Sequence, residues 1–150
     1  MFFMNHTINN ERAPIGFFSA SIDADGIIVS SMWDFSDGSN TTGTNVSHTY
    51  PHYVWDGADY VPYTVELTVT DNDNNTDNTT LEVNVFMQGD VNGDGVVNIE
   101  DVVPIGKAWR ASVPSITYND GADLNNDNTV NIMDVAYVGL NWRNHAVQIV

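Results

Sequence analysis

Hydrophobic and polar residues alternate in several short stretches between residues 15 and 86. The clearest stretch is 64–70, in which Val65, Leu67 and Val69 lie on one face and polar residues lie on the other. This period of two is typical of a half-buried antiparallel strand. Further strands are predicted at residues 15–21, 27–35 and 80–86, with turn-forming clusters at 23–26, 36–39 and 71–75. Several short strands with close turns predict a β-sandwich of about 80 residues.

The pattern changes near Phe86. From there the order is loop, helix, linker, loop, helix, with helices predicted near 99–110 and 132–143. The two halves are joined only by residues 87–89. Because such a short connection leaves little slack, we expect the two halves to touch.

A twelve-residue pattern occurs twice in the second half, in a first loop (residues 90–101) and a second loop (residues 123–134) that starts 33 residues later. Both loops carry oxygen-bearing side chains at positions 1, 3, 5, 9 and 12. Calcium takes about 6–8 oxygen ligands at about 2.3–2.6 Å, and this spacing is typical of a loop that folds around one ion. Position 6 must turn sharply, which suits Gly95 and is tolerated by Asn128. The repeat predicts two Ca²⁺ ions, one in each loop.

Each loop is expected to supply four side chains, one backbone carbonyl and one further Asn that acts directly or through water. The first set is Asp90, Asn92, Asp94, the Val96 carbonyl, Asn98 and Asp101. The second set is Asp123, Asn125, Asp127, the Thr129 carbonyl, Asn131 and Asp134. The alternative, a pair of solvated Asn/Asp-rich turns, is disfavoured by the matched register of the loops. Because three carboxylates repel one another in each loop, we expect this half to unfold largely when calcium is removed.

The chain is strongly acidic, with 20 Asp and Glu against 4 Lys and Arg and a net charge of −16. Without a basic patch to neutralise phosphate, neither nucleic acid nor an anionic membrane face is expected as a partner. No apolar stretch approaches the roughly 20 residues of a membrane span, so no membrane insertion is expected. Residues 1–4 lack the charged start and long apolar core of a signal peptide, and we expect a processed product or a piece of a longer chain.

The first half resembles the PKD-type (polycystic-kidney-disease repeat) Ig-like domain. The residues that carry the resemblance are Trp-Asp-Phe-Ser-Asp-Gly at 33–38, Val-Ser-His-Thr-Tyr at 46–50 and the strand at 63–71. It implies an all-β Ig-like sandwich over residues 1–86. Ser36 stands where the family usually has glycine and is expected to alter one turn only. The first strand is expected to be missing or degraded within residues 1–14.

The second half resembles a dockerin module over residues 88–143, because Asp101 and Asp134 occupy position 12 where ordinary EF-hands carry Glu. The resemblance implies a small all-α calcium-binding domain over residues 87–144, which docks onto a cohesin. The cohesin-binding face that it implies consists of Ile99, Glu100, Gly106, Lys107, Ile132, Met133, Gly139 and Leu140. These residues differ between the two copies, which disfavours symmetric binding in two modes.

Most other apolar residues of the two helices are expected to form a small core between them. They are Val102, Val103, Ile105, Trp109, Val135, Ala136, Val138 and Trp142. Pro104 lies beyond the first turn of its helix, where it should remove a hydrogen bond and produce a kink.

Five glycosylation sequons occur in the first half, at Asn5, Asn40, Asn45, Asn74 and Asn78. Chance explains some of them in an Asn/Thr-rich region, so both readings stay open. Modification at several would suit an exported surface protein that carries N-linked glycans.

No catalytic residue is identified. Asp34 and Asp37 lie in a turn where carboxylates cap backbone N–H groups, and no nucleophile or phosphate loop accompanies them. His48 and His52 could suggest a metal site, although a structural hydrogen bond is favoured for His48. Residues 50–63, the aromatic insertion, are interpreted as a loop packed on the sandwich rather than as a ligand platform.

These observations favour a non-catalytic, extracellular or cell-surface, calcium-dependent assembly module that docks onto a cohesin-like partner, with the first half as a spacer. The strand-like tail at 145–150 supports an alternative, a glycosylated fibre subunit that binds copies of itself by strand exchange beside residues 15–21 or at the opposite sheet edge. A carbohydrate-binding module is the least favoured interpretation.

Overall fold

The alternating stretches of the first half fold into two sheets that pack face to face. The computed structural model describes residues 1–4 and 8–148, and within them the sheets have the orders β1-β3-β6 and β2-β8-β7-β4-β5. The strands are β1 (Phe2–Met4), β2 (Ile8–Asn10), β3 (Ile15–Ser19), β4 (Ile28–Asp34), β5 (Asn40–Thr42), β6 (Asn45–His48), β7 (Tyr63–Asp71) and β8 (Thr76–Phe86). The predicted fold class, a β-sandwich followed by a small helical domain, is confirmed.

The core of the sandwich lies between the sheets. Val65 and Leu67 point inward from β7, as their alternation predicts, and are buried. Trp33 on β4 is fully buried, and its indole N–H donates to the Gly43 carbonyl at 2.8 Å. The Phe2 ring meets Trp33 edge-on, with ring centroids 5.0 Å apart. The indole is therefore packed and hydrogen-bonded at once, which fixes the distance between the sheets.

The N-terminal residues are paired in both sheets, so the first strand, which was expected to be missing or degraded, is not missing but is short. β1 pairs antiparallel with β3, and β2 pairs parallel with the end of β8. Each strand has only three residues, too few for the alternation on which strand prediction depends. The pairing of β1 also corrects the expectation that residues 15–21 offer an open edge to a strand from another copy. Because β3 lies between β1 and β6, residues 15–19 do not form an open edge.

Ser36 adopts a conformation that suits glycine, the residue that the resemblance leads us to expect at this position. Its φ is +59°, in the left-handed region. Its N–H donates to Asp34 Oδ1 at 2.8 Å, and its hydroxyl donates to the Thr64 carbonyl. The turn is closed by side-chain hydrogen bonds on both of its sides.

Two short helices form the second half, α1 (Ile99–Lys107) and α2 (Ile132–Leu140), with a 3₁₀ turn at Asp120–Ala122. Both helices end three residues before the predicted boundary. The chain enters the left-handed region three residues after each helix, at Arg110 and Arg143, where φ is +62° and +66°.

The helical core is narrower than predicted. Ile105 and Val138 are buried, but Val103 is 52% exposed and Trp109 and Trp142 are each 44% exposed. Nine-residue helices have room for few inward positions, so loop residues complete the core. These additional buried residues are Val97, Ala108, Ala111, Ala122, Leu124 and Val130.

The two halves are in contact, as the short connection led us to expect. Strand β2 packs against the 3₁₀ turn. The side-chain amide of Asn126, in the second loop, donates to the Pro14 carbonyl at 3.0 Å. No helix within residues 1–4 and 8–148 has the length and apolar character needed to cross a membrane.

Candidate calcium loops and partner face

The first residue of each loop organises the backbone that follows it. The Asp90 carboxylate accepts hydrogen bonds from the N–H groups of Gly93 at 2.8 Å and Gly95 at 2.8 Å. Asp123 accepts the equivalent bond from Asn128 at 2.7 Å. Position 6 has φ of +82° in Gly95 and +68° in Asn128, as its predicted sharp turn requires. Both loops therefore fold around their first carboxylate.

The last carboxylate of each loop joins the loop to the helix. Asp101 accepts the N–H of Val91 at 2.7 Å through one oxygen and the N–H of Asn98 at 2.7 Å through the other. Asp134 does the same in the second loop, with Leu124 at 2.8 Å and Asn131 at 2.7 Å. The bond to the N-cap residue completes a capping box at the start of each helix. Position 12 thus has a helix-capping role that its spacing alone did not reveal.

The remaining predicted ligands lie beside one another in matching pairs. The side-chain N–H of Asn92 donates to Asp94 Oδ2 at 2.9 Å, and Asn98 donates to the Val96 carbonyl at 3.4 Å. The second loop repeats both contacts, Asn125 to Asp127 at 2.9 Å and Asn131 to the Thr129 carbonyl at 3.2 Å. All twelve predicted ligand residues therefore occur in two sets of the same local geometry.

Buried negative charge is the electrostatic feature of these loops. Asp90, Asp101, Asp123 and Asp134 are fully buried, and none pairs with a basic side chain within the described residues. Burial raises the pKa of Asp90 and of Asp134, and neighbouring carboxylates add to the effect. Ionised carboxylates that are removed from water need a compensating charge.

The chemistry of the donor set fits a hard divalent cation. Carboxylate, amide and carbonyl oxygens are the ligands that calcium prefers. Among residues 1–4 and 8–148, no three Asp, Glu or His side chains converge closely enough to hold a metal by themselves. Binding in these loops would therefore depend on the Asn side chains and backbone carbonyls as well as on the carboxylates.

Two tyrosines that sequence reasoning missed contact the loops from outside. The Tyr60 hydroxyl donates to Asp90 Oδ2 at 2.7 Å, and the Tyr118 hydroxyl donates to Asp123 Oδ2 at 2.7 Å. Hydrogen bonding to a carboxylate and burial raise the pKa of both phenols, burial being the larger cause. Tyr118 lies five residues before its partner and could have been noticed. Tyr60 is 30 residues away, and no local pattern points to it.

The predicted cohesin-binding residues all lie at the surface. Ile99 is 64% exposed, Ile132 63%, Met133 54% and Leu140 80%. Glu100, Gly106, Lys107 and Gly139 are exposed as well. Among the described residues, no atom beyond the neighbouring helix backbone lies within 4 Å of a Cβ atom added to Gly106 or Gly139. The fold of this chain therefore gives no steric reason for glycine at either position.

The histidine and aspartate candidates of the sandwich have structural contacts. His48 Nε2 lies 2.8 Å from Asp37 Oδ2, and the imidazole stacks on Phe35 with ring centroids 4.0 Å apart. Burial alone would raise the pKa of Asp37, but hydrogen bonds from Ser39 and the contact with His48 lower it below 3.8. The Asp34 carboxylate caps the Ser36 N–H. This cluster stabilises a turn.

Four of the five sequon asparagines are exposed, and the fifth, Asn5, lies outside the described residues. The exposed four are Asn40, Asn45, Asn74 and Asn78. Their positions are compatible with glycosylation, which stays a prediction.

Family models match both halves of the chain. The model for the PKD domain matches residues 5–85, and the model for the dockerin type I domain matches residues 88–139. The comparison with curated proteins gives no match.

Solved structures resemble the chain over different lengths. A structure from work on the promiscuous specificity of carbohydrate-binding modules of the β-sandwich superfamily is 27% identical, with a TM-score of 0.52 over 58% of this chain; the match spans only 33% of that chain. The PKD1 domain of Vibrio anguillarum Epp is 31% identical, with a TM-score of 0.42 over 56% of this chain and 94% of its own. An interface mutant of a type II cohesin–X-dockerin complex from Acetivibrio cellulolyticus is 18% identical, with a TM-score of 0.36 over 97% of both chains.

Proposed function

Because this chain belongs to the PKD domain family over residues 5–85 and carries a type I dockerin domain over residues 88–139, we propose that it is a calcium-dependent assembly module that docks onto a cohesin-like partner. PKD and dockerin domains are non-catalytic module families, typically extracellular or at the cell surface. The PKD domain acts as a spacer for the dockerin domain.

The exposed surface of the two helices is the observation that carries this proposal. Gly106 and Gly139 lie inside helices, where glycine costs about 0.5–1 kcal/mol relative to alanine. Because no other part of the described chain would contact a Cβ atom at either position, packing within the described residues does not explain that cost. Close approach of a partner backbone explains why glycine stands at these positions. The exposed aliphatic side chains of Ile99, Ile132 and Leu140 add an apolar surface beside the glycines.

Calcium dependence follows from the double role of position 12. We assign one Ca²⁺ to each loop, with the two sets of six ligands given above. Type I dockerin domains bind calcium. Asp101 and Asp134 each cap a helix and belong to a ligand set. When calcium neutralises the buried carboxylates of a loop, it therefore also fixes the start of the helix that carries the partner face.

Biolayer interferometry against a panel of cohesin modules tests the proposal. We expect at least one cohesin to bind in calcium and to dissociate in excess chelator. Leu140→Asp should weaken that binding at least tenfold, since it places a charge in an apolar interface. Ile116→Asp is the matched control, because Ile116 is 102% exposed and lies in the linker outside the partner face. Cohesin binding that persists in excess chelator and is not weakened by Leu140→Asp would contradict the proposal. The absence of binding to every cohesin in the panel would contradict it as well.

The fibre alternative gains no supporting observation. The Ala146 N–H donates to the Gly95 carbonyl at 2.7 Å, and the Val147 N–H donates to the Tyr53 hydroxyl at 3.2 Å. The tail therefore contacts its own chain as far as Val147. Ile149 and Val150 lie outside the described residues.

A further inference from the structure

The two loops share their ligand pattern but differ at positions 4 and 6. The first loop has Gly93 and Gly95, and the second has Asn126 and Asn128. All four residues have positive φ, at +75°, +82°, +56° and +68°. Since asparagine adopts this conformation in the second loop, backbone geometry alone does not require glycine in the first.

Aromatic side chains of the PKD domain occupy the space that the two glycines leave. A Cβ atom on Gly93 would lie 3.1 Å from the Phe86 ring, and one on Gly95 would lie 2.8 Å from the Trp55 ring. The second distance is shorter than real Cβ contacts. A side chain at either position of the first loop would therefore crowd an aromatic ring of the sandwich.

Tyr60 joins this contact and adds a polar one. Its ring packs against Trp55 and Phe86, with centroids 4.9 Å and 4.7 Å apart. Its hydroxyl donates to Asp90 and accepts the Met87 N–H at 3.2 Å. The equivalent bond to Asp123 comes from Tyr118, within the dockerin domain itself. Among the residues that the structure describes, the first loop receives this bond from the other domain and the second loop receives it from its own domain.

We propose that the aromatic insertion completes the outer shell of the first calcium loop, with Tyr60 as a positioning residue for Asp90. Calcium binding in that loop and attachment of the PKD domain then stabilise each other, because coupling between two binding events is reciprocal. The inference rests on the proposed calcium binding. The two sites then differ in what they depend on. The first loop depends on Tyr60 of the PKD domain, whereas the second loop depends on Tyr118 of its own domain.

Hydrogen–deuterium exchange of the full chain at a series of free calcium concentrations separates the two loops. Peptides that cover residues 88–101 and 121–134 each give a calcium midpoint, and a peptide that covers 50–63 reports the domain contact. Removal of an outer-shell partner typically weakens metal binding about 10–100-fold. Tyr60→Phe should therefore raise the midpoint of the first loop about tenfold and that of the second loop much less. The 50–63 peptide should become protected at the midpoint of the first loop.

Two matched variants serve as controls. Tyr118→Phe should act mainly on the second loop and leave the 50–63 peptide unchanged. Tyr63→Phe removes a hydroxyl that donates to the His52 carbonyl at 2.8 Å, at the end of the same insertion, and should alter neither midpoint.

Gly95→Asn tests the packing without removing a hydrogen bond. The second loop shows that asparagine suits this position, so a weaker first site in the variant must come from crowding against Trp55. The double variant Gly95→Asn with Trp55→Ala should recover part of the lost affinity. Unchanged midpoints in Tyr60→Phe, or a double variant no better than Gly95→Asn, would overturn the inference while calcium binding stands. Absence of calcium-dependent protection in both loops would overturn the proposed function as well.

Discussion

Ser36 offers a prediction in which two opposing effects can be separated. A residue other than glycine in the left-handed region costs about 1–2 kcal/mol. Ser36 offsets part of this cost through its hydroxyl, which donates to the Thr64 carbonyl. Because the position is exposed, that hydrogen bond is worth about 0.5–1 kcal/mol.

Ser36→Ala keeps the strained backbone and loses the hydrogen bond, so it should lower the free energy of unfolding by about 0.5–1 kcal/mol. Ser36→Gly also loses the bond, but it relieves the strain at an entropic cost of about 0.4–1 kcal/mol in the unfolded chain. The glycine variant should therefore be more stable than the alanine variant by about 0.5–1 kcal/mol and close to the parent chain.

Urea unfolding in excess calcium measures these differences, with tryptophan fluorescence as the signal because Trp33 is fully buried in the sandwich. Ser39 is the matched control, since it lies in the same turn without a positive φ. There the order should reverse, with Ser39→Ala more stable than Ser39→Gly. If alanine is the more stable replacement at both positions, the strain argument fails.

Four further predictions concern acid stability, partner binding, calcium binding and self-association. Because the pKa of Asp37 is lowered in the folded chain, its contribution to stability is present above about pH 4 and is lost as the pH falls through the folded pKa. Asp37→Asn should therefore flatten the acid limb of the plot of unfolding free energy against pH. Gly139→Ala should raise the free energy of unfolding by about 0.5–1 kcal/mol and weaken cohesin binding in interferometry. Titration calorimetry should detect two calcium ions, and replacing both Asp90 and Asp94 with Ala should remove one; far-UV circular dichroism that is unchanged by chelator would contradict this. The fibre alternative predicts self-association that is abolished by deleting residues 145–150 with calcium binding intact, as light scattering would show.

Local spacing determined how much of the site could be predicted. The candidate calcium loops could be predicted because their proposed ligands lie within twelve consecutive residues, and the long alternation of β7 predicted a strand for a similar reason. The three-residue strands β1 and β2 carry no such pattern. The parallel pairing of β2 with β8 depends on residues about 76 positions apart, as in Ile8 opposite Asn84.

The role of the aromatic insertion could not be read from the sequence for a different reason. Its aromatic residues favour a loop packed on the sandwich over a ligand platform, but they do not indicate a contact with the other domain. Whether such a contact forms depends on how the two domains dock, and docking is a property of the folded surfaces. Gly95 shows the limit clearly: its positive φ was foreseen, whereas its contact with Trp55 was not.

The parallel pairing of β2 with β8 determines how the PKD domain responds to tension. Residues 87–89 join strand β8 to the first loop, and β2 lies beside the last residues of β8, with Asn10 opposite Phe86. A pull on the N-terminal side of β2 and on the dockerin domain acts at opposite ends of this parallel pair, along the strands. The hydrogen bonds between them are then loaded together in shear rather than broken one by one. A tether between a cell surface and a docked partner would, by this geometry, resist mechanical extension at the point where the two domains meet.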